Sequence, residues 1–262
     1  MRADGAADIA AIEVFNTARG HGPLNWMRVR RLAAVLGVCG VVAGCSTTMS
    51  GTARPADPAG PTSATTTAPT PALVPAAGVR AKLLKRDELA GILGDTDMKD
   101  TGDYTKPDEA LLLKFDPDGC APRLIVGVGE GYFKQAAFVE NVNKGARGQV
   151  ADQAISVWQN RNQATSQVRE TAVDWGLCRD NQVITVKIPD APEHWVSGAI
   201  ASRAPTSRIS TTSQRQEPPQ RTCSHVMAAQ GNVVVETSVS GDGDTLAAAN
   251  EIADRILAKL PQ

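Results

Sequence analysis

Aromatic residues are scarce in this 262-residue chain, with four Trp, two Tyr and four Phe making up 4% of the sequence. A platform of stacked rings for nucleobases or sugars is therefore not expected. Charge imbalance is missing too: 27 Lys and Arg stand against 28 Asp and Glu, a net charge of −1. Such a balance gives no ground for nucleic acid or an acidic membrane surface as partner. Histidine is rarer still, and only His194 and His225 fall in the part that reads as folded. An ordinary metal site takes three or four His, Cys or carboxylate ligands at converging spacing, and none converge here. Neither a G-x-S-x-G elbow nor an H-E-x-x-H helix occurs. The glycines of Gly127-Val128-Gly129-Glu130-Gly131-Tyr132 lack the third glycine and following lysine of a phosphate loop, and read as a flexible turn. Asp242-Gly243-Asp244 lacks the remaining ligands of a calcium loop, and a helix cap explains it better. With no nucleophile–base set in view, the chain reads as a non-enzyme without cofactor or metal.

What is present begins with Met27–Cys45, MRVRRLAAVLGVCGVVAGC. Arg28, Arg30 and Arg31 precede an uncharged apolar run from Leu32 to Val42, and Val42-Ala43-Gly44 are small residues before a cut site. This is the build of a secretory signal peptide. The run is shorter than the roughly 20 apolar residues a spanning helix needs. The ending Val-Ala-Gly-Cys resembles the lipobox of bacterial lipoproteins, which implies a diacylglycerol on Cys45 and cleavage just before it. Residues 1–26 carry three acidic groups and no long apolar run, so they read as an over-long start with translation beginning at Met27. Residues 27–44 are then the lipoprotein signal peptide. Residues 45–79 are the lipid-bearing Cys45 and a stretch mostly of Thr, Ala, Pro, Ser and Gly. That composition has too few large apolar groups to repay its ordering entropy, so a disordered tether is expected.

Residues 80–262 are one domain of ordinary size. A short helix starts at Arg86 with Leu89, Ile92 and Leu93 on one face and Gly94 as its stop. Loop is expected to about Pro107, strand over Ala110–Phe115 and Leu124–Val128, and a little helix near Gln135–Val142. Val150–Trp158 alternates as a strand does. Asn162 can cap a helix running to Leu177, with Val168, Ala172 and Trp175 as its buried stripe. Strands follow at Val183–Ile188, His194–Ser202 and Thr206–Ser213. Gly231-Asn232 then joins Thr222–Gln230 to Val233–Val239 as a hairpin. Asp244 caps an amphipathic helix carrying Leu246, Ala249, Ile252, Ala253, Ile256 and Leu260. The fold class is α+β, with a mainly antiparallel sheet and a few covering helices. Cys39 leaves with the signal peptide and Cys45 takes lipid, so Cys120, Cys178 and Cys223 imply one disulfide and one free thiol outside the cell.

The order of these parts resembles the extracellular sensor domain of the mycobacterial PknH-type receptor Ser/Thr kinases, a domain also found in free-standing lipoproteins. The likeness covers about residues 83–260 and is carried by ELAGILG, QVRETAVDWGLC with Trp175 and Cys178, and TCSHVMAAQGNVVVE. It implies a single domain with a twisted antiparallel sheet flanked by helices, a cleft for an extracellular ligand and no catalysis. The resemblance pairs Cys120 with Cys178 and sets Cys223 in the place of a third disulfide cysteine. A two-residue turn at 231–232 makes opposed residues sum to 463, so Cys223 faces Ser240 where a partner cysteine would stand. Cys223 is then a free thiol and an inert buried group.

The functional expectation is a lipid-anchored, extracytoplasmic protein on the cell membrane whose domain binds a small-molecule or lipidic ligand. Tyr132, Trp158, Trp195 and Arg208 are candidate lining residues, since amphipathic or charged groups near strand ends line such clefts. The alternative is a protein–protein interaction module of the cell envelope, modulating a receptor kinase or envelope assembly, which predicts an exposed apolar patch.

Overall fold

The computed structural model describes residues 72–107, 113–188, 191–203 and 207–261. The expected signal peptide, Cys45 and most of the tether lie outside them. Ten strands form one sheet: β1 (Lys99–Tyr104), β2 (Lys114–Asp116), β3 (Ala137–Lys144), β4 (Val150–Val157), β5 (Val183–Lys187), β6 (Glu193–Ser197), β7 (Ala201–Arg203), β8 (Arg208–Arg215), β9 (Thr222–Gln230) and β10 (Val233–Gly241). The order across the sheet is β1-β3-β4-β10-β9-β8-β6-β5-β2, with β7 added to β8. Every pairing is antiparallel. Among the described residues three α-helices flank the sheet: α1 (Arg86–Leu93), α2 (Arg161–Leu177) and α3 (Thr245–Ala258).

Side-chain alternation along the central strands sends two apolar sets in opposite directions. Val233, Val235 and Val239 of β10 join Ile155 and Val157 of β4 under α3, whose Ala249, Ile252, Ala253 and Ile256 are all fully buried. Leu89 of α1 packs into the same cluster. On the other face Met227, Val234 and Ala154 meet Ala164, Val168 and Trp175 of α2. A third apolar cluster surrounds the disulfide, with Phe115, Ile184 and Trp195. The sheet is therefore a middle layer, with α1 and α3 below and α2 above.

The hairpin holds the expected register, Cys223 opposite Ser240. Only Gly231 takes a positive φ, 58°, in its turn, so Gly231 alone meets the left-handed requirement. Asn232 instead spends its side chain on the start of the domain. Its Oδ1 accepts from Val74 N at 2.8 Å, and its Nδ2 donates to Val74 O at 3.0 Å and Trp158 O at 2.9 Å. Val74 is 7% exposed within the lower core. From this clamp the chain runs under β4, where Leu84 exchanges hydrogen bonds with the Gln153 amide at 2.9 and 2.8 Å.

Several local expectations change. Residues expected to be loop form β1, an edge strand whose register shifts between Asp100 and Gly102. The helix expected near Gln135–Val142 is strand β3, because Phe138, Glu140 and Val142 pair one for one with Ser156, Ala154 and Asp152 of β4. Leu124–Val128 is not a strand: a 3-10 helix, Asp118–Arg123, runs into turns there. Of Ala110–Phe115 only Lys114 and Phe115 are in a described strand, and residues 108–112 lie outside the described ones. His194–Ser202 divides into β6 and β7 around Gly198. A Cβ on Gly198 would sit 2.3 Å from the Thr212 carbonyl oxygen, so the close approach there requires glycine. The cap of α2 is Asn160, whose side chain accepts from Gln163 N. Asp244 caps α3 as expected.

Candidate functional site

A groove of about 690 Å³ opens beside α1, between that helix and the edge of the sheet. Leu84, Ala90 and Met98 supply its apolar floor, while Lys85 and Arg86 rise on the helix side and Asp100 and Asn141 on the strand side. The concavity exists because β1 is short and bulged, so it leaves the flank of α1 uncovered. Asn141 Nδ2 donates to Asp100 Oδ2 at 3.1 Å and to Gly102 O at 3.3 Å, which fixes the strand wall through the bulge.

A second polar constellation is closed to solvent. On the upper face Glu140 of β3, Ala154 of β4 and Glu236 of β10 stand in one row. Glu236 Oε2 accepts from Gly127 N at 3.1 Å and from the Tyr132 hydroxyl. Its Oε1 lies 2.8 Å from His225 Nε2. The other ring nitrogen, Nδ1, faces the Arg123 carbonyl oxygen at 3.4 Å, and the ring lies 4.7 Å from that of Trp175. Gly127 has φ 72°, and a Cβ there would meet Phe138 at 2.9 Å. The glycine is needed both for its turn and for the close approach of its backbone to Phe138. Burial, and then the Glu236 carboxylate beside it, pushes the Tyr132 phenol well above its ordinary value. It therefore remains a donor to Glu236.

His225 with Glu236 has the geometry of a base oriented by a carboxylate. The free side of the ring meets a backbone carbonyl instead of a hydroxyl or thiol, and the residue is 0% exposed. This pair holds the 127–132 loop onto the sheet and has no open side for a substrate. The sequence shows His225 only as one of two histidines in the folded part and does not single out its partner Glu236. The signal for Glu236 was there: an acid inside the apolar run Val233-Val234-Val235-Glu236, on a strand whose register the turn already fixes.

Arg123 organises the disulfide region. Its guanidinium is 1% exposed. Nε donates to Trp175 O at 2.7 Å, Nη2 to Cys178 O at 2.6 Å, and Nη1 to Gly198 O and to Thr211 Oγ1. Two of these acceptors belong to the C-terminal end of α2, where carbonyls lack intrahelical partners. Burial holds the guanidinium below its ordinary value, with Asp180 acting in the opposite sense. Cys120 and Cys178 are bonded, as the resemblance implied, and Cys223 is free and buried. Burial pushes the Cys223 thiol up to about 11, and its sulfur lies 3.4 Å from Ser238 Oγ.

The four candidate lining residues are not brought together. Tyr132 and Trp158 share the upper cluster, at 1% and 3% exposure. Trp158 Nε1 donates to Ser156 Oγ at 3.0 Å. Trp195 belongs to the disulfide cluster and donates to Glu193. Arg208 pairs with Asp254 and donates to Asn250, both on α3. None of the four lines the groove beside α1. His194 lies part-exposed against Glu217, its Nδ1 2.5 Å from the carboxylate. Among the described residues no group of three or more metal-ligating side chains converges, and no helix is long and apolar enough to cross a membrane.

Comparison with known proteins now places the fold. No curated protein matches the sequence. The crystal structure of the extracellular domain of PknH from Mycobacterium tuberculosis aligns with a TM-score of 0.64 at 18% identity, covering 72% of this chain and all of that one. An uncharacterized protein from Mycobacterium smegmatis, an Rv0999 ortholog, aligns at 10% identity with a TM-score of 0.32, over 66% of this chain and 96% of that one. The PknH-like extracellular domain family matches residues 74–259, which run from the Asn232 clamp to the residue after α3. This chain belongs to the PknH-like extracellular domain family.

Proposed function

We propose that this is a membrane-anchored surface lipoprotein whose sensor-type domain binds an extracellular small-molecule or lipidic ligand without transforming it. Cys45 carries the diacylglycerol anchor, the signal peptide 27–44 is removed, and the stretch from Cys45 to the Val74 clamp tethers the domain to the membrane. The groove beside α1 is the observation that supports ligand capture. It joins an apolar floor of Leu84, Ala90 and Met98 to a rim of charged and polar side chains, a lining more polar than most small-molecule sites and suited to a ligand with charged groups. Its volume of about 690 Å³ falls in the range of such sites.

The test is native mass spectrometry of the protein extracted from membranes. A co-purified mass should be lost when Ala90→Trp fills the floor, with the thermal midpoint recorded to show that the fold survives. Loss of the same mass on Cys45→Ala alone would instead point to the anchor. Absence of any bound mass across native preparations would refute ligand capture.

One feature favours the interaction reading. Val173 and Leu177 are each 69% exposed, one turn apart on the outer side of α2. Residues four apart on a helix present one surface, and apolar area of this kind serves a protein partner such as a receptor kinase with the same type of domain. A photo-crosslinker at position 173 that captures no envelope protein in intact cells would count against it.

A further inference from the structure

The geometry points to the start of the domain, the segment carrying Lys82, Lys85 and Arg86, as a surface that docks on anionic phospholipid head groups and lays the domain down on the membrane. This inference rests on the anchored reading above and adds how the anchored domain sits.

Four cations fall within seven residues, Arg80, Lys82, Lys85 and Arg86, directly after the tether. Arg80 is occupied by Asp103. Among the described residues Lys82, Lys85 and Arg86 have no ion-pair partner, and Lys85 and Arg86 are exposed. The acids around them are mostly spent elsewhere: Glu88 on Lys259, Glu251 on Arg255, and Asp254 on Arg208. Asp87 on α1 and Asp100 across the groove are the exposed acids left to oppose these three cations. A whole-chain charge of −1 hides this local excess.

Position adds to charge. The Asn232 clamp fixes Val74, so the tether leaves the domain eight residues before Lys82. An anchored chain thus delivers this segment to the head-group region before any other part of the domain. Each Lys or Arg near an anionic leaflet favours the bound form about fivefold. Three cations less two acids therefore favour the docked orientation about fivefold over an undirected one. That is weak for a free protein, yet effective once the tether has set a high local concentration.

The experiment uses the full chain with Cys39→Ser, coupled through the Cys45 thiol to a maleimide phospholipid, so it does not depend on natural acylation. Vesicles of neutral phosphatidylcholine are compared with vesicles containing phosphatidylglycerol, and lysine acetylation is followed by mass spectrometry. Lys114 on the opposite edge strand β2 and Lys187 on its neighbour β5 are the internal standard. In anionic vesicles acetylation of Lys82 and Lys85 should slow severalfold against that standard, in neutral vesicles not at all. The protection should vanish at high salt and fall with Arg86→Glu, an exposed change outside the apolar clusters. Equal rates for Lys82 and Lys85 in the two vesicle types overturn the proposal. Failure of the natural chain to acquire a diacylglycerol in cells would overturn the anchored reading alone.

Discussion

Replacing Arg123 by methionine keeps a stem of similar length and removes the guanidinium from the end of α2. The carbonyls of Trp175, Cys178 and Gly198 and the Thr211 hydroxyl then lose a donor in a region where Arg123 itself is 1% exposed. Trp175 O keeps the Cys178 N–H at 3.2 Å and Gly198 O keeps the Thr211 hydroxyl at 3.3 Å, so the Cys178 carbonyl is the acceptor left unpaired. A buried acceptor left unpaired costs about 1–3 kcal/mol. The expected loss is about 2 kcal/mol, since Asp180, the acid that loses its partner, is exposed and is not left as a buried charge. For a domain of this size that lowers the thermal midpoint by about 4–8 °C. Arg123→Lys keeps the charge but presents a point donor, so it should lose about half as much. Urea unfolding with the disulfide intact is the assay, with the slope checked for a two-state transition. A loss below about 1 kcal/mol for Arg123→Met would refute the reasoning, because the Cys178 carbonyl would then have found another partner.

Further outcomes follow from the same geometry. Ser240→Cys should pair with Cys223 across the hairpin and abolish the titratable thiol of the unfolded mature chain. The bridge should add at most about 3 kcal/mol, less any strain. The unfolded-state thiol titrates near 8.5, whereas burial raises it to about 11 in the fold. A raised thiol means stability is complete below about pH 8.5 and declines as pH rises towards 11, by about 3 kcal/mol. Cys223→Ala should flatten that alkaline decline in a pH series of urea melts. Tyr132→Phe removes one of the donors to Glu236 and should speed amide exchange over residues 126–133 while leaving α3 protected. Its cost in urea should be about 1.5–3 kcal/mol, the worth of a hydrogen bond to a charged group.

The parts of this fold that sequence could disclose were those governed by short-range rules. Asp244 and the periodic apolar residues after it define α3 because capping and 3.6-residue spacing are local. The pairing of Cys223 with Ser240 could be counted out because a two-residue turn fixes the register of everything beyond it. β1 and β3 escaped because their strand character comes from partners. Asn141 and Asn143 are unremarkable until β4 lies beside them, and Asp100-Thr101-Gly102 reads as loop until β3 supplies its hydrogen bonds. The groove beside α1 is a three-body feature of α1, β1 and β3, so no single segment encodes it. Tyr132 and Trp158 were chosen for amphipathic character, and their polar atoms are satisfied inside the protein, by Glu236 and Ser156. Glu236 is the converse: a residue polar enough to attract attention that lies in a strand otherwise read as core.

The Asn232 side chain gives the domain a defined mechanical entry point. A pull on the preceding segment reaches Val74 first, where it is resisted by a bond in each direction to one amide that also holds the Trp158 carbonyl. That amide sits on the turn between the two central strands, so the load enters the middle of the sheet and not an edge. These few hydrogen bonds are the first to give. The clamp thus works as a fuse: tension that would otherwise peel the strands is spent on releasing a short lead of chain, and Leu84 on the Gln153 amide is the next stop along it.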